Sequence, residues 1–251
     1  MRYKALATSV MMIGITSSGF AQLTLELNET APNSASSFTS TITYTEGVGF
    51  SSNLVGMDVS NTFTETTGFS FSFDVSIAGY TSYTLADSAL TLGNTANILT
   101  RSIGWGVGGG DYSLRIDPSG EEGLLVTFDN FVGISEINLT GAAIGNPDSK
   151  AVPEDTTGNW IMNAASSDGS TSYDPIFDET FTVGSNSTYG VSFSETVAEG
   201  NSYFITGLSG ASFRLNDLSF DGATAAIPEP SVMTLLSGVL ALGFVAYRRK
   251  R

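Results

Sequence analysis

The sequence predicts an all-β body, an antiparallel sandwich or jelly-roll-like domain, on three observations. Apolar residues alternate strictly with polar ones, most clearly at Phe69, Phe71, Phe73, Val75 and Ile77. Strands with one apolar and one polar face are typical of antiparallel sheets that pack on one side. Gly, Asn, Asp or Pro interrupt the alternation about every 8–12 residues, a spacing typical of sandwiches. Finally, no body segment keeps the apolar period of about 3.6 residues that a helix needs.

Taken in order, the alternation predicts strands that contain the following segments: Leu23–Leu27, Phe38–Tyr44, Phe69–Ile77, Tyr189–Phe193, Phe213–Leu215 and Leu218–Phe220. Turns are expected at residues 47–49, 93–94, 117–120, 146–148 and 168–169, where glycine, proline and short polar residues cluster. Neither an internal repeat nor a long linker divides this region. We therefore expect one domain over residues 22–226.

The composition excludes several classes of enzyme. The 251 residues include no cysteine and no histidine, so disulfides, zinc thiolate sites, cysteine nucleophiles and serine–histidine hydrolases are excluded. Only 14% of the residues are charged, against about 25% in an average soluble domain. We expect a protein that is not an enzyme, although glycoside hydrolysis by a pair of carboxylates stays open.

The charge distribution restricts the partners. Six of the ten basic residues lie at the two ends, and residues 22–227 hold four basic against 24 acidic residues, a formal charge of −20. Such a surface repels phosphate backbones, so we expect no nucleic-acid partner. Divalent cations and polyhydroxyl ligands remain open.

The N-terminus has the three parts of a signal peptide. Arg2 and Lys4 precede a short apolar run, and small residues stand at Gly19 and Ala21. We expect export by the Sec machinery and cleavage by signal peptidase between Ala21 and Gln22, which makes residues 1–21 the signal peptide. The alternative, an uncleaved anchor helix, needs a longer apolar run.

The C-terminus also has three parts, in a fixed order. A polar approach leads to Pro228-Glu229-Pro230, an uncharged apolar stretch covers residues 232–247, and the chain ends in Arg248-Arg249-Lys250-Arg251. As a helix, that stretch is about 24 Å long, somewhat short of a ~30 Å hydrocarbon core, a deficit that tail side chains or local thinning can cover. The basic residues hold the tail in the cytoplasm, so the body lies outside.

This motif, stretch and basic tail together resemble the PEP-CTERM sorting domain, here residues 227–251. The resemblance implies a C-terminal transmembrane helix that is removed by exosortase, a membrane-embedded transpeptidase-like enzyme. It also implies an association with extracellular polysaccharide and biofilm matrix. On this basis the precursor is anchored in the inner membrane with a periplasmic body, and then reaches the envelope, surface or matrix. The alternative is an ordinary single-pass anchor.

One glycine-rich segment, Gly104 to Asp111, is a candidate site within the body. It lacks the lysine of a phosphate-binding loop, and no helix pattern follows it. The segment predicts either a turn with Trp105 packed on the sandwich or a sugar site with Trp105 as a stacking platform.

Two acidic groups are candidate calcium sites, because loop carboxylates supply the oxygen ligands that Ca²⁺ prefers. The first contains Asp111, Asp117, Glu121 and Glu122; the second contains Asp168, Asp174, Asp178 and Glu179. Neither has EF-hand spacing, and solvated loop carboxylates explain both equally well. No other cofactor is expected.

For the body as a whole, the sequence favours a structural or adhesive role. A carbohydrate-binding module of the matrix is the alternative, and an enzyme acting on polysaccharide comes third.

Overall fold

The computed structural model describes residues 23–27, 35–61, 69–86, 89–101, 104–108, 116, 121–145, 157–165, 170–172, 175–182, 188–210 and 212–226. These residues form an all-β structure, and every strand pair is antiparallel. The strands are β1 (Leu23–Leu27), β2 (Ser37–Thr45), β3 (Gly49–Ser52), β4 (Met57–Asn61), β5 (Phe71–Ala86), β6 (Ala89–Arg101), β7 (Gly104–Gly108), β8 (Glu122–Val132), β9 (Ile134–Gly145), β10 (Thr157–Ala165), β11 (Ser170–Ser172), β12 (Pro175–Thr182), β13 (Thr188–Ala198), β14 (Ser202–Ser209) and β15 (Arg214–Ala225).

The strands form two facing sheets. Sheet A has the order β4-β1-β15-β9-β13. Sheet B has the order β3-β2-β5-β8-β14-β10-β12. Strand β6 links them: residues 89–96 pair with β5, and residues 97–101 pair with β7, which contacts β15 at Leu215.

Eight of these strands are connected as a jelly roll. Four of them, β1-β15-β9-β13, make up most of sheet A, and β8-β14-β10-β12 lie in sheet B. Along the chain, the connections from β8 to β15 cross between the sheets except at β10 to β12, which gives the two Greek keys of that fold. Strands β2 to β7 are an insertion after the first strand: β2, β3 and β5 widen sheet B, and β4 extends sheet A beyond β1. The expected antiparallel sandwich is thus confirmed.

Aromatic side chains from the inner faces hold the two sheets together. Phe220 on β15 is fully buried, and its ring lies 6.1 Å from Phe73 on β5 and 5.8 Å from Phe128 on β8. Similar contacts between the sheets continue along the core: Phe38–Trp105, Trp160–Phe213, Phe177–Phe193 and Phe181–Tyr189. Each buried ring contributes about 1.5–3 kcal/mol of apolar transfer, and each aromatic pair about 0.5–1.5 kcal/mol more.

A third layer covers part of the outer face of sheet B. The ladder between β5 and β8 ends at Thr81–Glu122, and Ser82 takes a φ of 62°. Beyond this kink, the Tyr83 hydroxyl donates to the Gly207 carbonyl on β14, at 2.8 Å. Since β14 lies two strands from β5, the tip of the β5–β6 hairpin bends over the sheet. It covers Phe204, whose ring packs edge-on against Tyr83 at 5.4 Å.

The structure corrects two details of the predicted strands. Gly93-Asn94 is not a turn, because both residues lie inside β6; Gly93 faces the kinked Ser82, and a Cβ there would come within 2.1 Å of the Ser82 carbonyl oxygen. The segments around Phe213 and Phe220 are not separate strands. They belong to a single run that continues into β15, and the bulge after Leu215 shifts the alternation between them.

Among the described residues, no helix is long and apolar enough to cross a membrane. The predicted transmembrane helix lies outside them, as does the signal peptide.

Candidate functional site

The structure places Trp105 in the core rather than at a ligand surface. Its side chain is fully buried on β7 and packs against Phe38, with the ring centroids 5.2 Å apart. Residues 104–108 form a strand and not a turn, because Gly104, with a φ of 118°, lets β7 approach the Leu215 carbonyl more closely than a Cβ would permit. The buried side chain leaves no exposed ring face for a sugar, and Trp105 packs in the core as the packing alternative expects, although from a strand rather than a turn.

The candidate calcium ligands are only partly described. Glu121 is exposed, whereas the next residue, Glu122, is 1% exposed at the start of β8. Asp178 and Glu179 are exposed on β12. Asp111, Asp117, Asp168 and Asp174 lie outside the described residues. Within the described part of the chain, no three carboxylates converge as a metal site, so calcium binding stays a prediction.

The sorting and processing residues also lie outside the described residues. These are Ala21, Gln22, Pro228, Glu229, Pro230, Arg248, Arg249, Lys250 and Arg251. The described body ends at Ala226, immediately before the predicted tag.

The structure brings together a polar site that the sequence analysis did not find. On the outer face of sheet A, a depression of about 240 Å³ has a lining that includes five polar residues, Glu136, Asn138, Thr196, Asp221 and Thr224, together with residues 137, 222 and 223. Asn138 on β9 is its centre. The Asn138 amide donates to Asp221 Oδ1 on β15 at 2.7 Å, and its Oδ1 accepts from the Ser194 hydroxyl on β13 at 3.3 Å.

Two β-bulges flank this depression. On β15 the register shifts between Asp221 and Ala223, and Gly222 takes a φ of 66°. On β13 the register shifts between Ser192 and Glu195. Because bulges redirect side chains, the carboxylate, amide and hydroxyl groups of three neighbouring strands converge here.

The chemistry of the depression suits a neutral, hydroxyl-rich group. Glu136 and Asp221 are exposed acceptors, and the Asn138 amide can both donate and accept. Among the residues that line the depression are two carboxylates and no basic side chain, so the depression offers an anion little attraction. Its volume is below the ~300–1,000 Å³ of sites for drug-sized ligands. It therefore fits one ring or branch of a larger ligand.

A third carboxylate, that of Glu195 on β13, accepts a hydrogen bond from a buried tyrosine next to this site. The Tyr203 hydroxyl donates to Glu195 Oε1 at 3.2 Å. Burial, and then the Glu195 charge, raise the pKa of Tyr203 above its ordinary range. The phenol therefore remains a donor and fixes Glu195 beside the bulge of β13.

The sequence carries no local signal for this site. Asn138, Ser194 and Asp221 come from three strands, and the hydrogen bonds between them span 56 and 83 residues. Only the strand pairing places them together, and nothing in the alternation predicts which strands become neighbours.

Comparisons with known proteins do not assign a family. No family model and no curated protein sequence matches the chain. Among solved structures, isomalto-dextranase from Arthrobacter globiformis T6, complexed with panose, aligns with 79% of this chain and 34% of that enzyme's chain, at 12% identity and a TM-score of 0.27. The chain thus spans about a third of that enzyme's length, and a likeness this weak carries no argument about fold or function.

A row of carboxylates crosses the same outer face. Glu26 on β1 stands directly opposite Asp217 on β15 and Asp58 on β4. Burial raises the pKa of Asp217, the Glu26 charge raises it further, and a hydrogen bond from Asn216 opposes both. Like charges directly opposite each other destabilise a sheet.

The raised pKa of Asp217 predicts a pH dependence of stability. In the unfolded chain Asp217 titrates near its ordinary pKa of about 3.9, so the folded state binds more protons between that value and the raised one. The stabilisation by protonated Asp217 is complete below the ordinary pKa and is lost as the pH rises through the folded pKa. Asp217→Asn should therefore be more stable than the wild type above this window, by on the order of 0.2–1 kcal/mol, and should lose the advantage in acid.

Urea unfolding of residues 22–226 across this pH range measures the effect. Glu199→Gln, at the exposed β13–β14 turn, removes one charge away from the row and serves as the control. An Asp217→Asn advantage that does not change with pH would contradict the assignment.

Proposed function

We propose that this chain is the precursor of a cell-surface or matrix protein, delivered by an exosortase-type system, and that its body has a structural or adhesive role. The observation that carries the proposal is the order of signal peptide, body and three-part C-terminal tag. In this proposal the Sec machinery exports the chain and signal peptidase trims it. The C-terminal helix then holds the precursor in the inner membrane until exosortase acts.

The described body is compatible with a structural role. Its two sheets share one aromatic core that extends over most strands, which suits a domain that must stay folded outside the cell without disulfides. Hydroxyl groups cover part of sheet B, where Thr39 bonds Ser76 at 2.8 Å and Thr127 bonds Ser202 at 2.9 Å. The Thr39–Ser76 pair is exposed and gives this face a hydrated surface without charge.

A carbohydrate-binding role is the second candidate, and the depression around Asn138 favours it. Carboxylate and amide groups on β9 and β15 and hydroxyl groups on β13 can form hydrogen bonds with neighbouring hydroxyls of a sugar ring. An enzyme that acts on polysaccharide is the third candidate, and reducing-sugar release would distinguish it from a binding module.

Replacing the motif tests the sorting proposal. Changing Pro228, Glu229 and Pro230 to alanine should leave export intact and block processing, because the apolar stretch and basic tail still stop transfer. Pulse-chase labelling with immunoblots of cell and medium fractions measures this. The matched control changes Pro153 and Glu154, a second Pro-Glu pair, and should be processed normally. If the motif variant is trimmed and released like the wild type, the tag is an ordinary anchor.

A glycan array with residues 22–226 tests the second candidate. If the depression binds sugar, Asn138→Ala should weaken binding at least tenfold, since about 1.4 kcal/mol of lost hydrogen bonding is a factor of ten. Asp58→Asn, on the same sheet but outside the depression, should bind normally. A body that binds no glycan, or one that binds equally well without Asn138, would exclude this site and leave the structural role.

A further inference from the structure

The described body remains hydrogen-bonded up to its last residue. Ala225 pairs with Ile134, and the Ala226 amide donates to the Gly133 carbonyl at 3.1 Å. Only Ile227 separates Ala226 from Pro228. The apolar stretch begins at Val232, six residues after Ala226, and six residues span at most about 20 Å. The sandwich can therefore lie no farther than this from an inserted helix.

The contacts of Gly133 and Ser70 identify which end of the sandwich is tethered in this way. Gly133 lies close to Ser70, because a Cβ on Gly133 would be 2.8 Å from the Ser70 carbonyl oxygen. In turn, the Glu46 amide donates to the Ser70 hydroxyl at 3.0 Å. The β2–β3 turn (residues 46–48) and the β8–β9 turn (residues 132–133) thus share one end with Ala226. We call these two turns and Ala226 the tag-proximal end.

The two turns of the tag-proximal end each expose a valine. Val48 is 84% exposed and Val132 is 63% exposed, which makes them two of the most exposed large apolar residues in the described part of the chain. Val55 is also exposed, at 66%, but lies elsewhere: Met57, two residues later, pairs with Leu27 at the far end of β1. Single exposed valines are ordinary on a protein surface. Val48 and Val132, however, share one end of the sandwich, the end nearest the predicted tag.

We propose that the tag-proximal end rests on the bilayer in the precursor, with the tips at Val48 and Val132 in contact with the lipid headgroup region. The inference depends on the proposed membrane anchoring of the tag. The short tether supplies the proximity, and apolar tips gain free energy when they enter the boundary between headgroups and acyl chains. Two valines orient the body but do not anchor it, because the helix holds the chain.

The carboxylates at this end make contact with an anionic membrane less favourable than contact with a zwitterionic one. Glu46 lies in the β2–β3 turn, and Glu136 is level with Thr224 near the end of β15. They repel anionic headgroups at distances up to about a Debye length, ~8 Å at physiological salt. The contact should therefore be closer on zwitterionic than on anionic membranes.

Labels at single positions test the docking on the full-length chain. The protein contains no cysteine, so Val48→Cys, Val132→Cys and the matched control Val55→Cys each take one environment-sensitive fluorophore. The labelled chains are reconstituted in zwitterionic vesicles that contain a lipid with a nitroxide on its headgroup. We expect at least twofold stronger quenching at positions 48 and 132 than at position 55, and a smaller difference in vesicles rich in anionic lipid.

Flotation of the same samples distinguishes a failure of the membrane anchoring from a failure of the docking. If the chain floats with the vesicles but positions 48 and 132 are quenched no more than position 55, the docking is wrong while the anchoring stands. If the chain does not float, the proposed anchoring fails and the docking fails with it. The far-ultraviolet circular dichroism of each variant checks that all three cysteine chains have folded.

Discussion

The contact of Phe220 with Phe73 and Phe128 is the interaction on which the rest of the structure depends. Phe220 lies on the central strand of sheet A, and its two partners lie on the central strands of sheet B. With no disulfide available, this packing must hold the two sheets in register. A shift of one residue in β15 would turn Phe220 outward and bring Ser219 into the core, so the core also fixes which side chains face the solvent.

The same strand carries the features that bear on function. Its register with β9 places Asp221 beside Asn138, and its register with β1 places Asp217 opposite Glu26. Its last residue is Ala225; the next residue, Ala226, donates its amide to the Gly133 carbonyl and comes directly before the Ile227-Pro228 of the predicted tag. The polar depression, the row of mutually repelling carboxylates and the short tether are therefore consequences of the position of one strand in the sandwich.

The sequence predicted strand identity well and tertiary arrangement poorly. Strict alternation located β1, β2, β5 and β13, because one buried face leaves a period of two. It failed for Leu125 and Phe204, which are buried on the outer face of sheet B by the folded hairpin tip, a tertiary contact that no local pattern records. The glycines around Trp105 predict an open turn and leave both core packing and sugar stacking open, whereas in the structure Gly104 permits close packing of β7 on β15. The depression depends wholly on strand order.

Amide hydrogen exchange along β15 in the full-length chain tests most directly whether the folded core continues to the tag. We expect the β15 amides that bond to β9 to be protected together from Leu218 to the end of the strand, with the slowest exchange around Phe220 and clear protection at Ala226, whose amide is bound to Gly133. Slow exchange at Phe220 combined with unprotected amides from Ala223 to Ala226 would contradict it. The body would then end in a free linker, and the core would not control the position of the tag.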